Sequence, residues 1–138
     1  HPLFRGFDDE FFIPHSRHTT IEKEDLLAKN GVEILSESPE AGIAIASSRG
    51  GREFYLTGHY EYAPFTLDEE YKRDLEKGQT IRMPVNYYRD DNPDNQPLVR
   101  WTSHANLLFN NWLNYFVYQE TPFDLKDVVH LGEIRQKE

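Results

Sequence analysis

The chain has 138 residues, a formal net charge of −9 at pH 7 and no cysteine. Hydrophobic residues make up 38% and aromatic residues 14%, which argues for one domain with a packed core and against disorder. The acidic balance disfavours nucleic acid and anionic membranes as partners, because both are bound through clustered Lys and Arg. Without cysteine the chain supplies no disulfide, no thiolate metal site and no cysteine nucleophile.

Two features bear on location and completeness. No apolar stretch is long enough to span a bilayer, and the first residues lack the charged and apolar regions of a signal peptide. A cytoplasmic protein is therefore predicted. Because the chain starts abruptly and without Met, we expect it to be a piece of something longer.

The amino-terminal half predicts a loop, a short helix and three strands. Residues 1–18 are a loop leading to an extended segment, either a turn pinned by aromatic packing or a substrate loop that uses His15, Ser16 and Arg17. A capping box at 19–22 predicts a helix through Ala28. The predicted strands are 32–36, 42–47 and 54–57. The Gly-Gly pair at 50–51 predicts a hairpin between the last two.

The carboxyl-terminal half predicts two helices separated by a long loop. A second capping box at 66–69 opens a helix that Gly78 closes. Residues 79–100 form a polar loop whose tyrosines indicate that it packs against the domain. Apolar residues at helical spacing predict a core-facing helix over 103–119 that Pro122 stops. They are Leu107, Leu108, Trp112, Tyr115 and Phe116. Residues 126–138 read as a charged tail that packs on a partner or frays.

A histidine and a carboxylate follow the third predicted strand, in Thr57-Gly58-His59-Tyr60-Glu61-Tyr62. In an extended backbone, residues two apart point to the same side. Glu61 is therefore expected near the His59 ring, where it would fix the tautomer and stabilise the protonated form. The spacing predicts a general-base pair, which requires a nucleophile.

Several motifs in a fixed order carry a family resemblance. They are Phe4-Arg5-Gly6-Phe7-Asp8-Asp9, Pro14-His15-Ser16-Arg17, the His59 motif, Arg73-Asp74-Leu75-Glu76, Asn86-Tyr87-Tyr88, Ser103-His104-Ala105-Asn106 and Asn111-Trp112-Leu113-Asn114-Tyr115. With them the chain resembles the carboxyl-terminal half of the homoserine O-acyltransferases, which are glutamine-amidotransferase-like. The resemblance implies an α/β fold of the class I glutamine-amidotransferase type, flavodoxin-like and three-layered, of which 1–138 is the C-terminal half of one domain.

The resemblance also implies an activity. Such enzymes move an acetyl or succinyl group from acyl-CoA to the homoserine hydroxyl through a cysteine thioester, in methionine biosynthesis. His59 matches the catalytic base, Glu61 its orienting carboxylate, and Ser16 and Arg73 positions that contact substrate. Tyr60 departs from the family's usual Pro. The nucleophilic cysteine would come from the N-terminal half, so this chain alone would be inactive. No cofactor is implied, and a homodimer stays open.

Other interpretations compete with this one. A glutamine amidotransferase or hydrolase of the same fold also uses Cys with His and Glu, and a non-catalytic assembly module could use the aromatic helix and the tail. Arg73 could be a solvent-facing residue paired with Glu69 or Glu70. A metal site is not predicted, because the spacing of the candidate ligands matches no common zinc pattern. Those candidates are His15, His18, His59, Glu61 and His104.

Overall fold

The computed structural model describes residues 1–121. Its main elements are α1 (Lys23–Leu27), β1 (Val32–Ser38), β2 (Gly42–Ser48), β3 (Glu53–Leu56), α2 (Thr66–Glu76) and α3 (Thr102–Trp112). Single 3₁₀ turns lie at Pro2–Phe4 and Arg89–Asp91, and a π-helical turn at Leu113–Val117 extends α3. The predicted stop at Pro122 and the tail 126–138 lie outside the described residues. Within them, no helix is long and apolar enough to cross a membrane.

The three predicted strands are confirmed and form one sheet in the order β1-β2-β3, with both pairings antiparallel. The central strand is buried from Ile43 to Ser47 because it is covered on both sides. The predicted hairpin is also confirmed. Arg49, Gly50 and Gly51 all have positive φ there, a conformation that glycine adopts without strain. The chain thus combines helices with a small antiparallel sheet, and the three-layer amidotransferase-like arrangement stays a prediction.

Both predicted capping boxes are wrong. Thr66 is the first residue of α2 rather than its cap, and neither α1 nor α2 has a side-chain cap of its own. For α2 the cap comes from elsewhere in the chain. The Tyr87 hydroxyl accepts the backbone N–H of Asp68 at 3.2 Å and donates to the carbonyl of Pro64 at 2.7 Å. This tertiary contact satisfies the N–H of Asp68 in the first turn of α2, a turn that the capping box at 66–69 was expected to cap.

The prediction that the loop 79–100 packs against the domain is confirmed. Tyr87 and Tyr88 are 5% and 1% exposed. With Leu67 and Trp101 they form a buried group that we call the loop cluster. The Tyr88 hydroxyl donates to the buried carboxylate of Asp68 at 2.7 Å, which ties the loop to α2.

A second buried group joins the sheet to α3. We call it the sheet cluster, and it consists of Leu3, Ala44, Ile45, Tyr60, Ala105 and Leu108. The predicted helix is confirmed, but the expectation for its buried face is wrong in part. Trp112 is 41% exposed, and the polar Asn111 is buried beside the cluster instead. The Asn111 amide is satisfied there because it donates to the carbonyls of Leu3 and Arg5 at 3.0 and 2.8 Å.

Candidate functional site

The segment 57–62 leaves the end of β3 and is held on two sides. Thr57 extends the ladder through its N–H, which donates to the carbonyl of Ala44 at 3.0 Å. The His59 N–H donates to the carbonyl of Pro14 at 2.8 Å, which joins the segment to the loop that carries Ser16. The backbone bearing the histidine is therefore fixed both to the sheet and to the amino-terminal loop.

Two tyrosines anchor this segment in different parts of the core. Tyr60 lies in the sheet cluster and is 4% exposed, and Tyr62 packs against the loop cluster. The side chains between and beside them stay accessible, since His59 is 34% and Glu61 67% exposed. Tyr60 thus serves as an apolar anchor for the segment.

His59 and Glu61 contact each other, with 2.9 Å between His59 Nδ1 and Glu61 Oε1. The hydrogen bond from His59 lowers the pKa of the Glu61 carboxyl. An ionised carboxylate only accepts, so the imidazole hydrogen lies on Nδ1 and Nε2 is the basic nitrogen. The expected contact is present, but its geometric premise is wrong. The backbone is a turn, with the Tyr62 N–H 3.5 Å from the His59 carbonyl, and not an extended strand.

Tyr62 stacks on the imidazole of His59, with ring centroids 4.3 Å apart and an interplanar angle of 16°. Its hydroxyl lies 2.9 Å from each carboxylate oxygen of Glu70. Burial and the bond to Glu70 raise the pKa of Tyr62 to about 12, whereas a side-chain contact from Ser16 lowers it. Ser16 thus acts on the pKa of the same tyrosine that covers His59.

Arg73 lies on α2, three residues after Glu70. Its Nε donates to Oδ1 of Asp74 at 2.8 Å, and this bond raises the pKa of Arg73. The alternative interpretation of Arg73 as a solvent-facing residue agrees with its side chain, which is 53% exposed. Its partner among the described residues is Asp74 rather than Glu69 or Glu70. The charges of Glu70 and Tyr62 also raise the pKa of Arg73.

His15 packs under the turn. Its pKa is lowered to about 4, first by burial and then by the charges of Arg17 and His59. Its Nδ1 is buried and has no hydrogen-bond partner within residues 1–121. The ring is thus held neutral next to His59.

His104 makes its contacts elsewhere. His104 contacts Asp8, with 3.4 Å between Nε2 and Oδ2, and packs against Phe7 and Phe11. In the part of the chain that the structure describes, no three His, Asp or Glu side chains come together as a metal site would require. The arrangement around His59 suits proton transfer.

Sequence reasoning missed the roles of Tyr62 and Glu70. An aromatic residue three positions after a histidine signals stacking only if the segment is known to turn. Glu70 lies eight positions after Tyr62, on a different element, and no local pattern joins them. Their contact depends on how α2 packs.

Comparison with known proteins agrees with the resemblance. The family model described as homoserine O-succinyltransferase matches residues 1–123. A homoserine O-acetyltransferase of Phocaeicola vulgatus is 65% identical over 127 residues, which is 92% of this chain and 42% of the relative. The Bacteroides fragilis homoserine O-acetyltransferase is 61% identical over 128 residues, 93% of this chain and 42% of the relative.

A relative from another organism carries the same name. The homoserine O-acetyltransferase of Acetivibrio thermocellus is 59% identical over 126 residues, 91% of this chain. The chain spans about 42% of the length of the curated relatives it matches. Because the family model covers most of the chain, the chain belongs to the homoserine O-succinyltransferase family.

Proposed function

We propose that this chain is the carboxyl-terminal part of a homoserine O-acyltransferase with the amidotransferase-like fold, and that His59 is its general base. The observation that carries the proposal is the 2.9 Å contact between His59 Nδ1 and Glu61, which leaves Nε2 to accept a proton. Family membership supplies the reaction class. The nucleophilic cysteine would come from the preceding half of the enzyme.

The chemistry proceeds in two transfers. His59 Nε2 takes the proton of the cysteine thiol, and the thiolate attacks the acyl-CoA carbonyl carbon. The carbon–sulfur bond to CoA breaks, and the imidazolium protonates the CoA thiolate. In the second transfer His59 takes the proton of the homoserine hydroxyl, whose oxygen attacks the enzyme thioester. The carbon–sulfur bond to the enzyme cysteine breaks, the O-acyl ester is released, and the cysteine thiolate takes a proton from the imidazolium.

Ser16 and Arg73 are assigned to the acceptor. A guanidinium binds a carboxylate through two parallel N–H bonds, and only the Nε of Arg73 is bonded among the described residues. The Nη groups suit the homoserine carboxylate, with Ser16 as a hydroxyl contact nearby. The relatives' name, homoserine O-acetyltransferase, favours acetyl-CoA as the donor.

The test uses the full-length enzyme, acetyl-CoA and homoserine, with free thiol as the readout. Acetyl-CoA alone should give a burst of about one CoA per active site, and homoserine should convert the burst to steady turnover. His59→Ala should abolish both. Glu61→Gln should lower turnover by a factor on the order of 10² to 10⁴, because the imidazole loses its orienting charge.

His104→Gln is the matched control, since His104 also contacts a carboxylate but lies elsewhere. It should keep near-wild-type turnover. Near-wild-type activity in His59→Ala would overturn the site. Glutamine hydrolysis without CoA release would point to a different enzyme of the same fold.

A further inference from the structure

The general-base pair does not by itself fix the direction of His59 Nε2. One hydrogen bond at Nδ1 leaves the ring able to tilt about that bond. Glu61 cannot hold the imidazole plane firmly, because its side chain is long and 67% exposed. A second constraint on the imidazole plane is needed for a proton acceptor of defined direction.

Tyr62 has the geometry to supply this constraint. Its ring lies nearly parallel to the His59 imidazole, with an interplanar angle of 16° and ring centroids 4.3 Å apart. The stack covers one face of the imidazole, whereas the bond to Glu61 acts at its edge. Tilt is therefore opposed by one contact and rotation in the plane by the other.

Tyr62 is itself held at both ends. Its hydroxyl lies 2.9 Å from both oxygens of Glu70 on α2. Its backbone carbonyl accepts the indole N–H of Trp101 at 3.0 Å, and Trp101 is 3% exposed. Arg73 is on the same helix as Glu70. The helix α2 therefore supports both the tyrosine that covers the proposed base and the proposed carboxylate clamp.

We propose that Tyr62 is a positioning residue that holds the plane of the His59 imidazole, anchored by Glu70 and Trp101. The inference rests on the proposed function of His59 as general base. It assigns Tyr62 no contact with substrate and no proton transfer. The ring is the operative part, and the hydroxyl acts by holding the ring.

Three variants of the full-length enzyme test this. Tyr62→Leu and Tyr62→Met remove the flat ring, and Tyr62→Phe keeps it. The first two should lower kcat about 10- to 100-fold, with KM for acetyl-CoA and homoserine within about twofold of wild type. Tyr62→Phe should stay within about fivefold because the stack survives. Should Tyr62→Leu fail to fold, Tyr62→Met decides in its place, since the unbranched and flexible Met side chain adapts better to the space that the ring leaves.

Tyr55→Phe is the matched control. Tyr55 also donates to a glutamate, Glu53, at 2.6 Å, but on the exposed side of β3. Loss of the Tyr55 hydroxyl should leave kcat and KM for acetyl-CoA and homoserine unchanged. The proposal would be overturned by a wild-type kcat in Tyr62→Met. It would also be overturned if KM rose while kcat stayed unchanged.

A second measurement is independent of activity. With ¹³Cε1-labelled histidine, the order parameter of the His59 ring should fall from the rigid range, about 0.85, to below about 0.6 in Tyr62→Met and stay high in Tyr62→Phe. An unchanged order parameter in Tyr62→Met would contradict the positioning role. If the wild-type enzyme released no CoA, the proposed function would fail, and the order parameters would still decide whether Tyr62 holds the ring.

Discussion

The imidazole of His15 fills the space that a side chain at position 58 would need. A Cβ on Gly58 would lie 3.1 Å from His15 Nε2 and 2.4 Å from Ile13 Cγ2. Gly58 does not adopt the left-handed conformation, so space alone requires glycine there. This close approach lets the loop bearing Ser16 reach the segment bearing His59.

Gly58→Ala should therefore destabilise the enzyme by about 1–3 kcal/mol, because the methyl group overpacks the contact with Ile13. It should also lower kcat/KM by displacing the loop from His59. Ile13→Ala removes the Cγ2 atom that Cβ would meet. The double variant should be more stable than the sum of the two single changes predicts, as urea unfolding would show. Strict additivity would contradict the contact.

Acid should destabilise the fold through His15. The folded-state pKa is about 4 and the ordinary value 6.5. The native state resists protonation, so the stabilising effect of the neutral ring is complete above pH 6.5 and is lost as pH falls toward 4. Allowing for partial exposure, the loss should be about 1–2 kcal/mol over that window.

His15→Gln isolates this effect, because glutamine does not titrate. Its free energy of unfolding should fall less than that of wild type between pH 6.5 and pH 4, as urea titrations at several pH values would measure. If the free energy of unfolding fell equally with pH in both proteins, His15 would not be the cause of the loss of stability in acid. Carboxyls with lowered pKa, such as Glu61 and Asp74, contribute equally in both.

The buried pair of Tyr88 and Asp68 should matter for stability. Tyr88→Phe leaves the Asp68 oxygen without the hydroxyl that donates at 2.7 Å, which should cost about 1–3 kcal/mol. Tyr71→Phe is the control, since Tyr71 packs against the same loop cluster. It should change the free energy of unfolding by less than about 0.5 kcal/mol. Equal effects of the two changes would contradict a role for the hydroxyl bond.

Arg73 should act in the second transfer alone. Arg73→Lys replaces the planar fork by a point charge and should raise KM for homoserine about 10-fold or more, while the burst of CoA from acetyl-CoA alone stays intact. Arg52→Lys, which makes the same change at an exposed arginine of the hairpin between β2 and β3, is the control. Loss of the burst in Arg73→Lys would place Arg73 in the first transfer instead.

Much of the fold follows from local pattern. The three strands, the Gly50-Gly51 hairpin and the helix ended by Gly78 depend on alternation, turn chemistry and helical periodicity, which act over a few residues. The contact of His59 with Glu61 is also short-range, so a wrong premise about the backbone still led to the right pair of side chains.

What the sequence could not supply depends on distant segments. The cap of α2 comes from Tyr87, which lies 19 positions after Asp68. The stack of Tyr62 on His59 needs a turn, and its anchor Glu70 needs the packing of α2. Asn111 replaces Trp112 on the buried face of α3 because two carbonyls near the amino terminus satisfy its amide. The cap from Tyr87 and the bonds of Asn111 are tertiary contacts that override a local preference.

The two bonds from Asn111 have a consequence for the order of folding. They join positions separated by 108 and 106 residues, so the turn at Pro2–Phe4 gains its partner only after α3 has been synthesised. Closing so long a loop costs chain entropy that a local turn cannot offset. On the ribosome, the sheet and α2 can therefore form before the turn at Pro2–Phe4 is fastened to α3.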